Sequence, residues 1–370
     1  MPNKSHKNQH SKKRAVNRKL HNRTKKNVKD IYSVMYNRTK KNVKDIYKDT
    51  ALYPIIKPYF SGFLQVSKLH KIAYFLYGNP KGKPALVIHG GPGGGTVPTY
   101  ARYFNPKKYM IILVDQRGSG KSTPFGEIRE NTTPLLISDF EKIRELLNIK
   151  KWQLFGGSWG SALALAYSIK HPEVVTEIVL RGVFILRKLQ QNWLQQGPGA
   201  NYIFPEAWKM YIDAIPPNER HDLFKAYGRR FNGSMGKKER DKASLAWSQW
   251  EGCVSHLIPI PQKEVIKDLK KTKNYIPMSL IEYHYFSNDG FLPRKEYLFE
   301  KKNLDKIRKF PMTIVNGRYD VVCPIMTAYE LAEKMPHATF YKTLAGHSML
   351  EPENIKHLVM ATNEYAKDFK

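Results

Sequence analysis

Three residues far apart in this chain have the types that nucleophilic catalysis needs: Ser158, Asp320 and His347. A serine hydroxyl is a poor nucleophile until a base removes its proton. A histidine can do so at neutral pH, and a carboxylate can hold that histidine in the right tautomer and stabilise the imidazolium. Ser158 lies in Gly156-Gly157-Ser158-Trp159-Gly160, between an apolar run at 152–155 and a small-residue helical run at 162–169. A strand–turn–helix setting of this kind puts the serine on a strained turn, and glycines two residues to either side let neighbouring backbones come close. Asp320 ends Asn316-Gly317-Arg318-Tyr319-Asp320, directly after a strand-like run at 313–315. His347 ends Ala345-Gly346-His347, in a glycine-containing loop after another strand-like run. His337 and His357 are weaker choices of base, because each lies on or beside an expected helix.

A second glycine-rich loop, His89-Gly90-Gly91-Pro92-Gly93-Gly94-Gly95, follows an apolar run at 85–88. Backbone N–H groups exposed by such a loop can face a developing oxyanion, and those of Gly91 and Trp159 would form the hole. The alternative is a phosphate cradle, disfavoured because neither a G-x-G-x-x-G with its downstream acid nor a Walker lysine fits here. Gly118-Ser119-Gly120-Lys121-Ser122 looks like the end of a P-loop, but Asp115 stands where the first glycine is required. Asp115-Gln116-Arg117 reads better as a strand-end turn that braces the oxyanion loop.

The elements that must position these residues follow from the apolar pattern. Runs at 74–78, 85–88, 110–114, 152–155, 178–180, 312–315 and 339–344 read as strands, and continuous Val/Ile/Leu stretches suit buried parallel ones. Residues 133–147 read as a helix, with Leu135, Leu136, Phe140, Ile143, Leu146 and Leu147 at a 3.6-residue period. Further helices are expected over 162–169, 326–334 and 354–369. The alternation predicts a doubly wound, mostly parallel α/β sheet, with each catalytic candidate just past a strand's C-terminal end, where open sheets hold their ligands. Strand runs vanish over residues 186–306, which read as an inserted all-helical cap. Residues 51–185 and 307–370 would then form the α/β core.

Composition bounds the function. The chain has 370 residues, 41% of them hydrophobic, which is ample for a core. No apolar run reaches a membrane span and no signal-peptide pattern is present. With only Cys253 and Cys323, a reducing compartment, the cytoplasm, is expected. No Cys/His spacing implies a metal, and no cofactor is called for. The net charge of +30 is uneven: residues 1–50 hold sixteen Lys/Arg against three Asp, or +13. Within that arm the string NRTKKNVKDIY occurs twice, from Asn22 to Tyr32 and from Asn37 to Tyr47. The arm reads as a solvated, largely disordered extension, the alternative being weak adhesion to nucleic acid or an anionic membrane, or a nuclear address. Its few aromatics argue against base stacking.

Serine, then acid, then histidine is the order of triads in α/β-hydrolases and differs from the other common serine-triad orders. The segments HGGPGGG, DQRGSGKSTP, GGSWGSALALAY, AWSQWEG, EYHYF and GRYDVVCP, followed by AGH, resemble the proline iminopeptidases (prolyl aminopeptidases) in order and over roughly residues 64–370. The basic arm departs from that pattern. The resemblance implies an α/β-hydrolase fold and a serine exopeptidase acting on peptides with a free N-terminal proline. It also implies that Glu251 and Glu282 hold the substrate's ammonium and that Phe286 lines the proline-ring pocket. Read without the resemblance, Glu251 and Glu282 are carboxylates among aromatics, suited either to a cationic ligand or to a helix surface beside buried Trp. A general esterase or amidase, or an idle hydrolase core with a basic tether, stand as alternatives.

Overall fold

The computed structural model describes residues 52–367 and 369. The basic arm and its duplicated segment therefore lie outside the described residues.

Eight strands form one sheet in the order β1-β2-β4-β3-β5-β6-β7-β8. They are β1 (Phe60–Gln65), β2 (Lys71–Gly78), β3 (Lys83–Ile88), β4 (Tyr109–Val114), β5 (Trp152–Gly157), β6 (Val175–Arg181), β7 (Met312–Gly317) and β8 (Thr339–Thr343). The pairs β1–β2 and β2–β4 are antiparallel, and every pairing from β4 through β3 to β8 is parallel. Seven of these strands match the apolar runs of the sequence. The strand not anticipated, β1, is an edge element whose Phe60 and Phe63 stay exposed, so it carries no continuous apolar run.

The period of two along each central strand builds two cores. Leu86, Ile88, Ile112, Leu154, Ile178 and Ile314 face one side, against helices α1 (Thr133–Leu146) and α2 (Trp159–Lys170). Their chain neighbours Ala85, Val87, Ile111, Phe155, Val179 and Val315 face the other, which Leu358 and Ala361 of the last helix cover. Helix α2 is buried over nearly its whole length, and Ala162, Ala164 and Ala166 let it lie close to the sheet.

Strands β6 and β7 pair directly, with Ile178 opposite Met312. The chain between them is helical: α3 (Lys188–Gln195), α4 (Pro205–Asp213), α5 (Leu223–Phe231), α6 (Gly236–Val254), α7 (Gln262–Thr272), α8 (Tyr275–Ser287) and α9 (Lys301–Ile307), with short 3-10 turns. Its core is aromatic. Trp247 of α6 meets the rings of Tyr211, Tyr227, Phe231 and Tyr283, while Tyr211 stacks on Tyr227 at 4.6 Å. After β7 come α10 (Met326–Lys334), β8 and α11 (Pro352–Tyr365). The last helix starts and stops earlier than the expected 354–369, because Pro352 is pre-set for a first turn. No helix among the described residues is long and apolar enough to cross a membrane.

Candidate active site

Ser158 stands between β5 and α2 with φ 56°, a left-handed conformation that a non-glycine residue adopts only where its surroundings enforce it. The neighbouring glycines supply that enforcement. A Cβ on Gly156 would lie 2.2 Å from the Gly160 carbonyl oxygen, and one on Gly160 would lie 2.1 Å from that of Ile88. The turn is tied down further by Ser158 N–H donating to the Arg181 carbonyl at 2.8 Å and by Ser161 Oγ donating to the Ser158 carbonyl at 2.6 Å.

His347 Nδ1 and Asp320 Oδ2 are 2.8 Å apart, and both residues are buried. The carboxylate accepts, so the proton sits on Nδ1 and Nε2 keeps its lone pair, the tautomer of a general base. Asp320 is itself fixed, because its Oδ1 accepts from Cys323 N–H at 2.7 Å. Gly182 leaves room for the pair: a Cβ there would come within 3.0 Å of His347 Cε1.

The lone pair on Nε2 is not idle. Arg181 Nη1 donates to it at 3.0 Å and to the His347 carbonyl at the same distance. Among the described hydrogen bonds, Ser158 Oγ and His347 are not joined. The hydroxyl's neighbour is the Cys323 thiol, at 4.0 Å. Burial, with the Asp320 charge beside it, pushes the Cys323 thiol well above its usual range, so it stays protonated and is a poor competing nucleophile.

Gly91 lines the same small cavity as Ser158, at the tip of the loop after β3. Trp159 is the first residue of α2, where backbone N–H groups have no intrahelical acceptor. The loop is braced as expected from the 115–117 turn. Gln116 donates from its backbone N–H to His89 Nε2 at 3.0 Å and from its side chain to the His89 carbonyl at 2.9 Å. It accepts in turn from Trp159 Nε1 at 2.9 Å, joining the start of the Gly91 loop to the Trp159 side chain. Asp115 Oδ1 accepts from both the N–H and the hydroxyl of Thr96 at 2.7 Å.

Glu251 of α6 and Glu282 of α8 are buried and line this cavity, together with Phe286 one turn beyond Glu282. Phe184 from the loop after β6 packs against Phe286 at 5.4 Å between ring centres. Trp247 Nε1 donates to Glu282 Oε2 at 2.6 Å. The helix-surface alternative is thereby set aside, since both acids are inside. Burial pushes both carboxyls up, Glu282 the further because the Glu251 charge adds to it.

Two contributors were not anticipated from sequence. Arg181 is a lone basic residue ending an apolar strand, and only the sheet shows that it meets His347. Glu351, also buried, accepts from the N–H groups of Leu257, at 2.6 Å, and of Gly346. It thus joins the turn after α6 to the loop that carries His347, through backbone partners that leave no signature in side-chain types.

The parallel sheet, the serine elbow after β5 and the acid and histidine after β7 and β8 define a hydrolase of the α/β class. Residues 83–353 match the family model for the alpha/beta hydrolase fold. The chain belongs to the proline iminopeptidase family. It is 48% identical over 315 residues to the probable proline iminopeptidase of Leptolyngbya boryana, spanning 85% of this chain and 96% of that one. The proline iminopeptidase of Arabidopsis thaliana is 46% identical over 85% of this chain and 81% of its own, and that of Neisseria gonorrhoeae 39% over 85% and 98%. Solved structures share the fold at lower identity. A probable hydrolytic enzyme from Pseudomonas aeruginosa PAO1 has a TM-score of 0.57 at 16% identity, over 84% of this chain and 95% of its own. An alpha/beta hydrolase from a Medee basin deep-sea metagenome library has 0.55 at 16%, over 82% and 97%.

Proposed function

We propose that this protein is a serine aminopeptidase that releases N-terminal proline from peptides through an acyl-enzyme. Ser158 Oγ attacks the carbonyl of the first residue while His347 Nε2 takes the hydroxyl proton, which requires the Arg181 hydrogen bond at Nε2 to yield to the serine. Asp320 holds the imidazolium. The oxyanion rests on the N–H groups of Gly91 and Trp159, each such donor being worth about 2.7–4 kcal/mol in the transition state. His347 then gives its proton to the leaving amine, and water repeats the sequence on the prolyl ester.

The observation that carries the reading is the buried Glu251–Glu282 pair on the wall of the cavity that also holds Ser158. Two buried acids lining a small cavity select one residue with a cationic N-terminus, and Phe184 and Phe286 offer the apolar faces that suit a pyrrolidine ring. The family membership supports the same substrate. The two free, buried cysteines fit a reducing compartment such as the cytoplasm.

The test is release of free proline from a proline arylamide and from its N-acetylated counterpart. Unpairing a buried charge costs on the order of 3–5 kcal/mol, so the acetylated substrate should react at least about a hundredfold more slowly. Ser158→Ala should lower the rate by about 10⁶. Comparable turnover of both substrates would mean a general amidase instead.

A further inference from the structure

Glu251 is 8% exposed and Glu282 2%, and both line the one small cavity that holds Ser158, each acting on the other. A hydrogen bond between two carboxyls needs a proton, and two carboxylates in contact inside a dry cavity cannot both ionise without a cation between them. Among the described hydrogen bonds and ion pairs no cationic side chain reaches either acid, although Arg181 and His347 both favour the charged form of Glu251. The Nη1 of Arg181, from the end of β6, is committed to His347. The charge of Arg181 is also balanced by Asp320 from the loop after β7, which acts on Glu251 in the opposite sense. His347, from the loop after β8, acts on Glu251 in the same sense as Arg181 and has its Nδ1 bound to Asp320 at 2.8 Å. The Cys323 thiol is protonated, and the phenol of Tyr211 on α4, which feels Glu282, is un-ionised. Trp247 Nε1 donates to one oxygen of Glu282.

We propose that Glu251 and Glu282 hold one proton between them in the free enzyme, and that the substrate's N-terminal ammonium displaces it to solvent. The exchange balances: a singly charged, protonated pair and a cationic amine become an ion-paired complex and one free proton, with no N–H bond lost. The inference rests on the ammonium-site reading above and adds to it a proton linkage. Substrate affinity then rises with pH, up to the point where the amine itself, with an ordinary pKa of about 8, begins to deprotonate.

The experiment is calorimetric titration of prolinamide into the full-length chain carrying Ser158→Ala, at pH 7, in buffers of different ionisation enthalpy. The slope of heat against buffer enthalpy should give release of between about half and one proton per prolinamide bound, because most of the amine is already protonated there. In the Glu282→Gln background the release should fall to near zero, since no shared proton remains to expel. Binding with no buffer dependence in the parent chain overturns the proton exchange and leaves the ammonium site standing. Absence of prolinamide binding from pH 6 to 9 overturns both. An independent check needs no variant: KM of the unaltered enzyme for a proline arylamide should fall severalfold from pH 6 to 8, and a flat KM speaks against the exchange.

Discussion

A proton acceptor serves a serine only when its lone pair can turn to it, and here Arg181 holds that lone pair. Catalytic hydrogen bonds are often loose before substrate binds and tighten in the Michaelis complex, and in the proposed mechanism the Ser158–His347 bond forms as substrate binds. Ser158, Asp320 and His347 were legible in sequence because each sits in a short local pattern, glycines and a strand end, that states its backbone conformation. Glu251 and Glu282 were legible as acids among aromatics, but their mutual contact across two helices was not. Arg181 was illegible because one arginine at the end of an apolar strand has no local pattern at all. At this scale Glu251→Gln should raise KM for a proline arylamide by at least about tenfold while leaving turnover of a simple aryl ester near the parent value. Equal effects on both substrates would detach Glu251 from amine recognition.

At the scale of elements, buried parallel strands announce themselves as unbroken apolar runs, whereas β1 alternates weakly on an open edge and was missed. The loop carrying His347 is held from two sides. A Cβ on Gly346 would come within 2.7 Å of the Leu257 nitrogen, so the glycine in Ala345-Gly346-His347 serves close approach of the turn after α6. Ser348 N–H donates to the Ser255 carbonyl at 2.8 Å, adding a second tie beside Glu351. Glutamine at position 351 keeps one acceptor and turns an amide donor toward a buried N–H, a loss of about 1–3 kcal/mol. Glu351→Gln should therefore lower kcat about tenfold on ester and arylamide alike, in contrast to the amine-selective Glu251→Gln. An unchanged kcat would show that the loop keeps its place unaided.

Across the whole molecule, the buried acid pair sets function against stability. The pKa of Glu282 is raised in the folded state above its ordinary value of 4.5. Above that ordinary value the unfolded chain gives up a proton that the folded chain keeps. The folded state is therefore favoured less as pH climbs through the window between the two, and the sign is a stability that declines with rising pH. Glu282→Gln removes the slope: its Tm should exceed that of the unaltered protein by about 2 °C or more at pH 9, with a smaller gap at pH 5. A gap that stays constant or narrows with pH would contradict the burial argument.

The helical stretch leaves the sheet at the end of β6 and rejoins it at β7, strands that are hydrogen-bonded neighbours. Its two stalks are thus rooted in adjacent strands, about 4.8 Å apart in the sheet. Evolution can trade such a module for another without rethreading anything, provided the replacement brings its own backbone N–H to meet Glu351. The helical stretch that lines the acid pair and the sheet that carries the serine elbow are thereby separable parts, joined beside His347 by Glu351 and by the Ser348–Ser255 bond.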